Sequence, residues 1–257
     1  MFTLEGETYI VTGASRGIGN ATANILLDLG ANVVGGYSSA PGQLKGLWTE
    51  FGDDHLLPLQ MDLSEPGAAF KMWDQALAFK GRIDGIVNNA GIAPSTPYDA
   101  DVDQWQADWS QVMQVNVQAV ADLCKAAIEH FEAERAKDAE FTGRIVTVAS
   151  RAAFRGDQPD SLHYAASKGA LVALMRSIAR GFAGKGIYAF TIAPGWVGTD
   201  MAAVTELPGN EHMLKEIPMG AVAPPENIGN MIAFLLSGLV DHATGTTVDI
   251  NGASYVR

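Results

Sequence analysis

The sequence predicts an α/β domain in which a doubly wound, seven-stranded parallel sheet is flanked by helices on both faces. Three observations carry that expectation. Seven short runs rich in β-branched and apolar residues recur along the 257 residues, helical patterns separate them, and a glycine-rich turn joins the first run to the first helical segment. Parallel neighbours need crossovers of a dozen or more residues, and the intervals supply them. With 47% hydrophobic and 18% charged residues, the composition is that of a globular chain able to form one large core.

Taken in order, strands are expected at 8–12, 32–36, 56–60, 85–88, 144–148, 188–192 and 246–250. Several are continuously apolar at their centres, as strands covered on both faces must be. A helix is expected after the glycine turn, from Asn20 to Leu27. The clearest helical pattern runs over 110–134, where Met113, Val117, Val120, Cys124, Ala127 and Phe131 recur at steps of three and four and mark one buried face. Cys124 lies in that stripe and reads as a core residue. No linker, low-complexity tract or internal repeat divides the chain, so residues 1–257 read as a single domain. The longest stretch without strand character, 196–224, contains Pro208-Gly209-Asn210 and Pro218-Met219-Gly220. After a late strand it is a candidate substrate-covering lid, around 196–222.

Charge and composition exclude several function classes. Seventeen Lys and Arg against 29 Asp and Glu give a net charge of -12, a field that repels nucleic acid. Between 99 and 140, ten acids face only Lys125, Arg135 and Lys137, which reads as a solvated helix face. No apolar run approaches the ~18 to 20 residues of a membrane span, and the first residues lack the order of a signal peptide. A soluble, cytoplasmic protein is expected, and its one cysteine fits a reducing compartment. The five histidines lack metal-ligand spacing, so no metal site is expected.

Directly after the first strand stands Thr12-Gly13-Ala14-Ser15-Arg16-Gly17-Ile18-Gly19. In a strand-turn-helix context such glycines let the backbone turn tightly, admit a phosphate closely and leave free N–H groups at the helix start. That reads as a dinucleotide site. Later come Asn88-Asn89-Ala90-Gly91, Asn116, Ser150, Tyr164-Ala165-Ala166-Ser167-Lys168 and Pro194-Gly195-Trp196-Val197-Gly198-Thr199. Together these motifs resemble, in order, those of the classical short-chain dehydrogenase/reductase family, whose turn reads TGxxxGxG. The resemblance implies a Rossmann fold and an oxidoreductase that interconverts a carbonyl and an alcohol with a nicotinamide dinucleotide.

The resemblance assigns cofactor contacts to Gly13, Ser15, Arg16, Gly17, Ile18, Gly19, Asn89, Ala90, Gly91, Pro194 and Gly195. It places Val197 and Thr199 at the nicotinamide carboxamide, and Asp62 and Leu63 beside adenine. Asp62 could equally cap a helix beginning near Ser64. An acid ending the second strand would bind the adenosine ribose and repel a 2′-phosphate. Tyr37 occupies that position, followed by Ser38 and Ser39, whose hydroxyls can donate to a phosphate, and Arg16 resembles the basic residue that NADP-preferring relatives place there. NADP(H) is therefore expected over NAD(H).

Hydride transfer to a carbonyl leaves an alkoxide that needs a proton. Tyr164 and Lys168, four apart, share a helix face, and the ammonium, together with the positive charge of oxidised nicotinamide, is expected to draw the phenol toward neutrality as general acid/base. The resemblance adds that Lys168 holds ribose hydroxyls and that Asn116, the fourth catalytic member, holds a water connecting the lysine to solvent. Helix-kink hydrogen bonding is the alternative for Asn116. Ser150, after the fifth strand, can donate to the substrate oxygen as charge builds. The Ser150-to-Tyr164 interval is one residue longer than the family pattern leads us to expect, which places an extra residue in 157–160. His163 could line the pocket, although on a helix it points about 100° from its neighbour. Phe154, Tyr98, Trp196 and Met201 are candidate lining residues for an apolar part of a small-molecule substrate.

A narrower reading is a 3-oxoacyl-[acyl-carrier-protein] reductase, for which Arg176, Arg180 and Lys185 would greet an acidic carrier. A reading of another class is a non-catalytic NADP(H)-binding sensor. The resemblance also implies a homo-oligomer, dimer or homotetramer, through helices at 110–138 and 161–184, where small Ala165, Ser167, Ala170 and Ala173 permit close approach. The C-terminal 249–253 departs from the family's usual Asp-Gly-Gly.

Overall fold

The computed structural model describes residues 2–199 and 211–257. Seven strands form, β1 (Thr8–Val11), β2 (Asn32–Tyr37), β3 (Leu56–Gln60), β4 (Gly85–Asn88), β5 (Gly143–Val148), β6 (Ile187–Pro194) and β7 (Thr247–Ile250). All seven expected strands are present, with boundaries within two residues of the expected ones. They pair in parallel in the order β3-β2-β1-β4-β5-β6-β7. Because side chains alternate along a strand, each central strand feeds two cores. Ile10, Val34, Ile86 and Ile145 enter one, with Met72, Leu123, Phe131 and Met175. Val11, Val33, Val87 and Val146 enter the other, with Leu26, Phe190 and Ile232.

Helices α1 (Gly17–Asp28) and α9 (Pro225–Leu236) cover the second core, while α3 (Ala68–Lys80), α5 (Ala119–Lys137) and α7 (Leu162–Phe182) cover the first. Shorter helices are α2 (Leu44–Phe51), α6 (Ala152–Arg155) and α8 (Glu211–Lys215). The chain runs outward from β1 to β3 and then returns to β4 beside β1. That reversal opens a crevice at the carboxyl ends of β1 and β4, where ligands of open α/β sheets bind.

The long helix differs from its expected form. It begins as α4 (Val102–Met113), passes through a π-helical turn at Gln114–Gln118, and continues as α5. The wider turn shifts the buried stripe by one position. Val112, Val115 and Asn116 are therefore buried before the phase settles on Val120, Cys124, Ala127 and Phe131, and Met113 and Val117 are only half-buried. Cys124 is core, and burial pushes its thiol up to about 12. Among the described residues no helix is long and apolar enough to cross a membrane, and no three or more His, Cys, Asp or Glu side chains group as metal ligands. Residues 200–210, at the centre of the expected lid, lie outside the described residues, and Met201 with them.

Candidate active site

The glycine turn is closed by contacts a side chain would prevent. A Cβ at Gly19 would stand 2.2 Å from the Gly13 carbonyl oxygen and 2.6 Å from Asn89 Nδ2, and Gly13 itself has φ +67°. Asn89 Nδ2 donates to the carbonyls of Thr12 (2.9 Å) and Gly13 (3.2 Å), while the Thr12 hydroxyl accepts from the backbone N–H groups of Asn89 and Ala90. The turns after β1 and β4 are thus stitched into one wall of the crevice. Beside it a cleft of about 400 Å³ is lined by Arg16, Gly17, Asn20, Gln43, Leu47 and Thr199 among others. The start of α1 adds unpaired N–H groups and the positive end of its dipole. A cradle without side chains, with a cation at its rim, fits a pyrophosphate.

Gly19→Ala is expected to cost about 1–3 kcal/mol, because the added methyl meets a backbone carbonyl rather than a pliable side chain. Urea denaturation checks this without coenzyme; an unchanged midpoint would mean that the turn relaxes freely.

At the outer end of the crevice Arg16 is the exposed N-cap residue of α1, and Ser38 and Ser39 follow β2, also exposed. Gln60 Nε2 donates to the Ser38 carbonyl at 2.9 Å, so β3 steadies that turn. Asp62 does not cap a helix, since α3 begins only at Ala68 with Gly67 as N-cap. Its carboxylate instead accepts from the Ser64 N–H and hydroxyl, which hold its pKa below the usual range and fold a turn next to Leu63.

At the inner end, β5 and α7 bring the expected group together. Ser150 lies two residues beyond β5, and Tyr164 and Lys168 lie one turn apart on α7, with Lys168 Nζ 5.6 Å from the centre of the Tyr164 ring. Lys168 is buried and Nζ donates to the Val148 carbonyl at 2.9 Å. In the protein alone, without the charge of oxidised nicotinamide, burial moves both groups away from their charged forms. Burial pushes the Tyr164 phenol up to about 12; a hydrogen bond with Ser150 acts the other way, and the Asp157 charge adds to the rise. Burial also pulls the Lys168 ammonium down to about 8. Removing water disfavours both charged forms.

Asn116 lies in the π-turn and is fully buried. Its Oδ1 accepts from the Ile92 N–H (2.8 Å), while Nδ2 donates to the Ile92 carbonyl (2.9 Å) and to Ser167 Oγ (3.0 Å). The side-chain amide therefore pins the segment after β4 instead of kinking its own helix. Gly91 leaves room for both neighbours: a Cβ there would lie 3.3 Å from Asn116 Oδ1 and 3.4 Å from Lys168 Nζ. Ser167 also differs from expectation. It is buried and donates to the Tyr164 carbonyl at 2.7 Å, so it faces the site and not an outer helix surface.

Val197 and Thr199 follow β6 through Pro194 and Gly195, and Val197 forms an isolated parallel bridge with Ala223. Thr199 closes on Gly17, whose missing Cβ would stand 2.8 Å from its methyl. This segment therefore reaches the glycine turn.

Thr12 entered the sequence reading only as part of the turn motif, and two further supporting residues escaped it, Gln43, whose N–H donates to the Ser15 carbonyl, and Thr96. His163 Nδ1 accepts from the Tyr164 N–H, which leaves Nε2 to donate to Thr96 Oγ1 (2.9 Å), and that hydroxyl donates to Asp108 (2.7 Å). His163 thus anchors the start of α7. Their signal is pairing between distant segments, which one sequence does not display. Of the expected lining residues, Tyr98 is largely exposed and Phe154 lies beneath the Arg257 guanidinium.

A switch-point glycine cradle with hydroxyl donors at the carboxyl end of the next strands is the architecture of dinucleotide-dependent oxidoreductases. A family model described as "Enoyl-(Acyl carrier protein) reductase" matches residues 13–253. The 3-oxoacyl-[acyl-carrier-protein] reductase of Vibrio cholerae is 30% identical over 98% of this chain and 99% of its own. A putative 2-deoxy-D-gluconate 3-dehydrogenase of Agrobacterium tumefaciens with bound NADP superposes with TM-score 0.87 at 29% identity, covering 100% of this chain and 99% of its own. A 3-ketoacyl-(acyl-carrier-protein) reductase of Brucella melitensis complexed with NADH does so with TM-score 0.87 at 27% identity, covering 99% and 100%. The chain belongs to the short-chain dehydrogenase/reductase family of oxidoreductases.

Proposed function

We propose that the protein reduces a ketone or aldehyde to an alcohol, reversibly, with NADP(H) in preference to NAD(H). The observation that carries this reading is the pair of hydroxyls, Ser150 and Tyr164, brought together at the carboxyl end of β5 so that the serine acts to lower the phenol, with Lys168 behind the phenol ring. Nicotinamide supplies the hydride. Ser150 donates to the substrate oxygen as it gains charge. Tyr164, kept protonated by burial, delivers the proton, which favours reduction near neutral pH. Lys168 holds ribose hydroxyls and supports the phenol, and Asn116 positions the segment that borders Lys168.

Gly13, Ser15, Gly17, Ile18 and Gly19 hold the pyrophosphate, Asn89, Ala90 and Gly91 the neighbouring ribose, and Asp62 and Leu63 the adenine. Pro194, Gly195, Val197 and Thr199 hold the carboxamide. Two O–H donors converging on one oxygen suit a carbonyl better than a carbon–carbon double bond, which gains no charge on oxygen at the same place.

NADP(H) is favoured because Tyr37, Ser38 and Ser39 leave no acid to repel a 2′-phosphate beside Arg16. Arg16→Ala is expected to lower the NADPH-over-NADH preference in kcat/KM by roughly 10-fold or more, the worth of a charge-assisted hydrogen bond. Unchanged discrimination would remove Arg16 from cofactor choice.

The function itself is tested by NADPH oxidation with cyclohexanone, ethyl acetoacetate, an acetoacetyl thioester and a crotonoyl thioester. Turnover of ketones supports the reading, and turnover of the crotonoyl compound alone overturns it. Coenzyme binding without turnover of any of them leaves the sensor reading. The carrier-protein reductase reading rests on the V. cholerae relative and on exposed Arg176 and Arg180, but Lys185 is engaged by Glu132. Cytoplasmic location and a dimer or tetramer built through α5 and α7 belong to the same proposal. On α7 exposed Ala173 and half-buried Ala165 and Ala170 allow close approach.

A further inference from the structure

We propose that Arg151 forms an anion subsite at the substrate end of the site, so that the carbonyl compound it serves carries a carboxylate a few bonds from the reacting carbon. This rests on the carbonyl-reductase reading above.

Arg151 follows Ser150 directly, and its N–H donates to the Pro194 carbonyl at 3.0 Å, which fixes it between the ends of β5 and β6. The residue is 4% exposed. Its guanidinium lies over the Trp196 ring, 5.8 Å from the centre, and Nη2 stands 4.0 Å from the half-exposed Glu216 carboxylate. Nη1 is buried and has no hydrogen-bond partner.

A guanidinium offers five N–H donors in a planar fork, and one long contact to a half-exposed carboxylate uses little of it. Leaving a buried charged donor empty is unfavourable unless a ligand completes it. Arg155 stands 3.9 Å from Asp157 and offsets that carboxylate, so Asp157 does not complete the Arg151 fork.

Carboxylate is the group whose two oxygens match the fork. Consecutive Cα atoms are about 3.8 Å apart, so Ser150 and Arg151 leave the backbone together at the end of β5, a spacing that suits a carboxylate on a small substrate. Glu216 occupies one edge of the fork in its absence, and a half-exposed ion pair of this kind is readily displaced.

The test measures kcat/KM with NADPH for straight-chain 2-oxo, 3-oxo, 4-oxo and 5-oxo acids, each beside its methyl ester. Wild type is expected to favour at least one acid over its ester about 10-fold or more. Arg151→Gln should lower that acid-to-ester ratio about 10-fold, chiefly through KM of the acid, and Arg151→Lys should restore part of it. Should Arg151→Gln fail to fold, Glu216→Gln supplies the second arm: it frees the guanidinium and should lower KM for the acid relative to the ester.

Esters turned over as well as or better than every acid by wild type would overturn the subsite, as would a ratio unmoved by Arg151→Gln or, in the second arm, by Glu216→Gln. Absence of turnover for acids, esters and cyclohexanone alike would instead overturn the carbonyl-reductase reading, and this assignment with it.

Discussion

Tyr164→Phe is expected to lower kcat for ketone reduction by about 10²–10⁴-fold while leaving NADPH affinity within about 3-fold. Phenylalanine fills the same space over α7 and keeps the ring that lies near Lys168 Nζ, so packing beside the coenzyme site is retained. What disappears is the phenol O–H beside Ser150 on a half-buried ring. Stability should change by no more than about 1 kcal/mol, the net worth of a typical hydrogen bond. Stopped-flow turnover and a fluorescence titration with NADPH separate the two effects. Equal turnover in both proteins would mean that the proton reaches the alkoxide from elsewhere; loss of NADPH binding would mean that the ring, not the hydroxyl, matters.

Lys168→Met should abolish most turnover and yet make the coenzyme-free protein more stable near pH 7. Burial pulls the ammonium from 10.5 to about 8, and among the described residues no carboxylate opposes that shift. Keeping the charge inside therefore costs on the order of 3 kcal/mol. Methionine removes this cost and fills similar volume, but it leaves the Val148 carbonyl without its donor, which gives back roughly 1–2 kcal/mol. A net gain of about 1 kcal/mol corresponds to a rise in Tm of about 2–4 °C for a chain of this size.

The sign with pH follows from the depressed value. Below about 8 the native lysine is charged and its burial weakens the fold. As pH rises from there toward 10.5 the native protein has lost a proton the unfolded chain still holds, so the wild type gains stability. The advantage of Lys168→Met should therefore narrow across that window. A Tm difference constant from pH 7 to 10, or a variant less stable at pH 7, would show that Lys168 is not a destabilising buried charge.

Both expectations place a functional requirement against folding. Tyr164 and Lys168 are held where desolvation disfavours their charged forms, and packing elsewhere sustains that arrangement.

The periodicities in the sequence determined the seven parallel strands, the buried faces of the helices and the single sheet, because apolar repeats of two and near 3.6 residues record which side of an element loses water. Local chemistry also made the glycine turn legible, since Gly13, Gly17 and Gly19 occupy positions where a Cβ would strike backbone or a neighbouring side chain. The spacing of Tyr164 and Lys168 likewise placed both groups on one helix face.

Only the tertiary structure decided how far those groups are desolvated, because that depends on everything packed around them, and in the protein alone burial raises the phenol and lowers the ammonium. It also decided that Asn116 holds Ile92, that Ser167 turns inward, and that the π-turn displaces Met113 and Val117 from the core. Each depends on atoms brought together from segments far apart in the chain, or on one extra residue within a helical turn. A periodic pattern carries no trace of either.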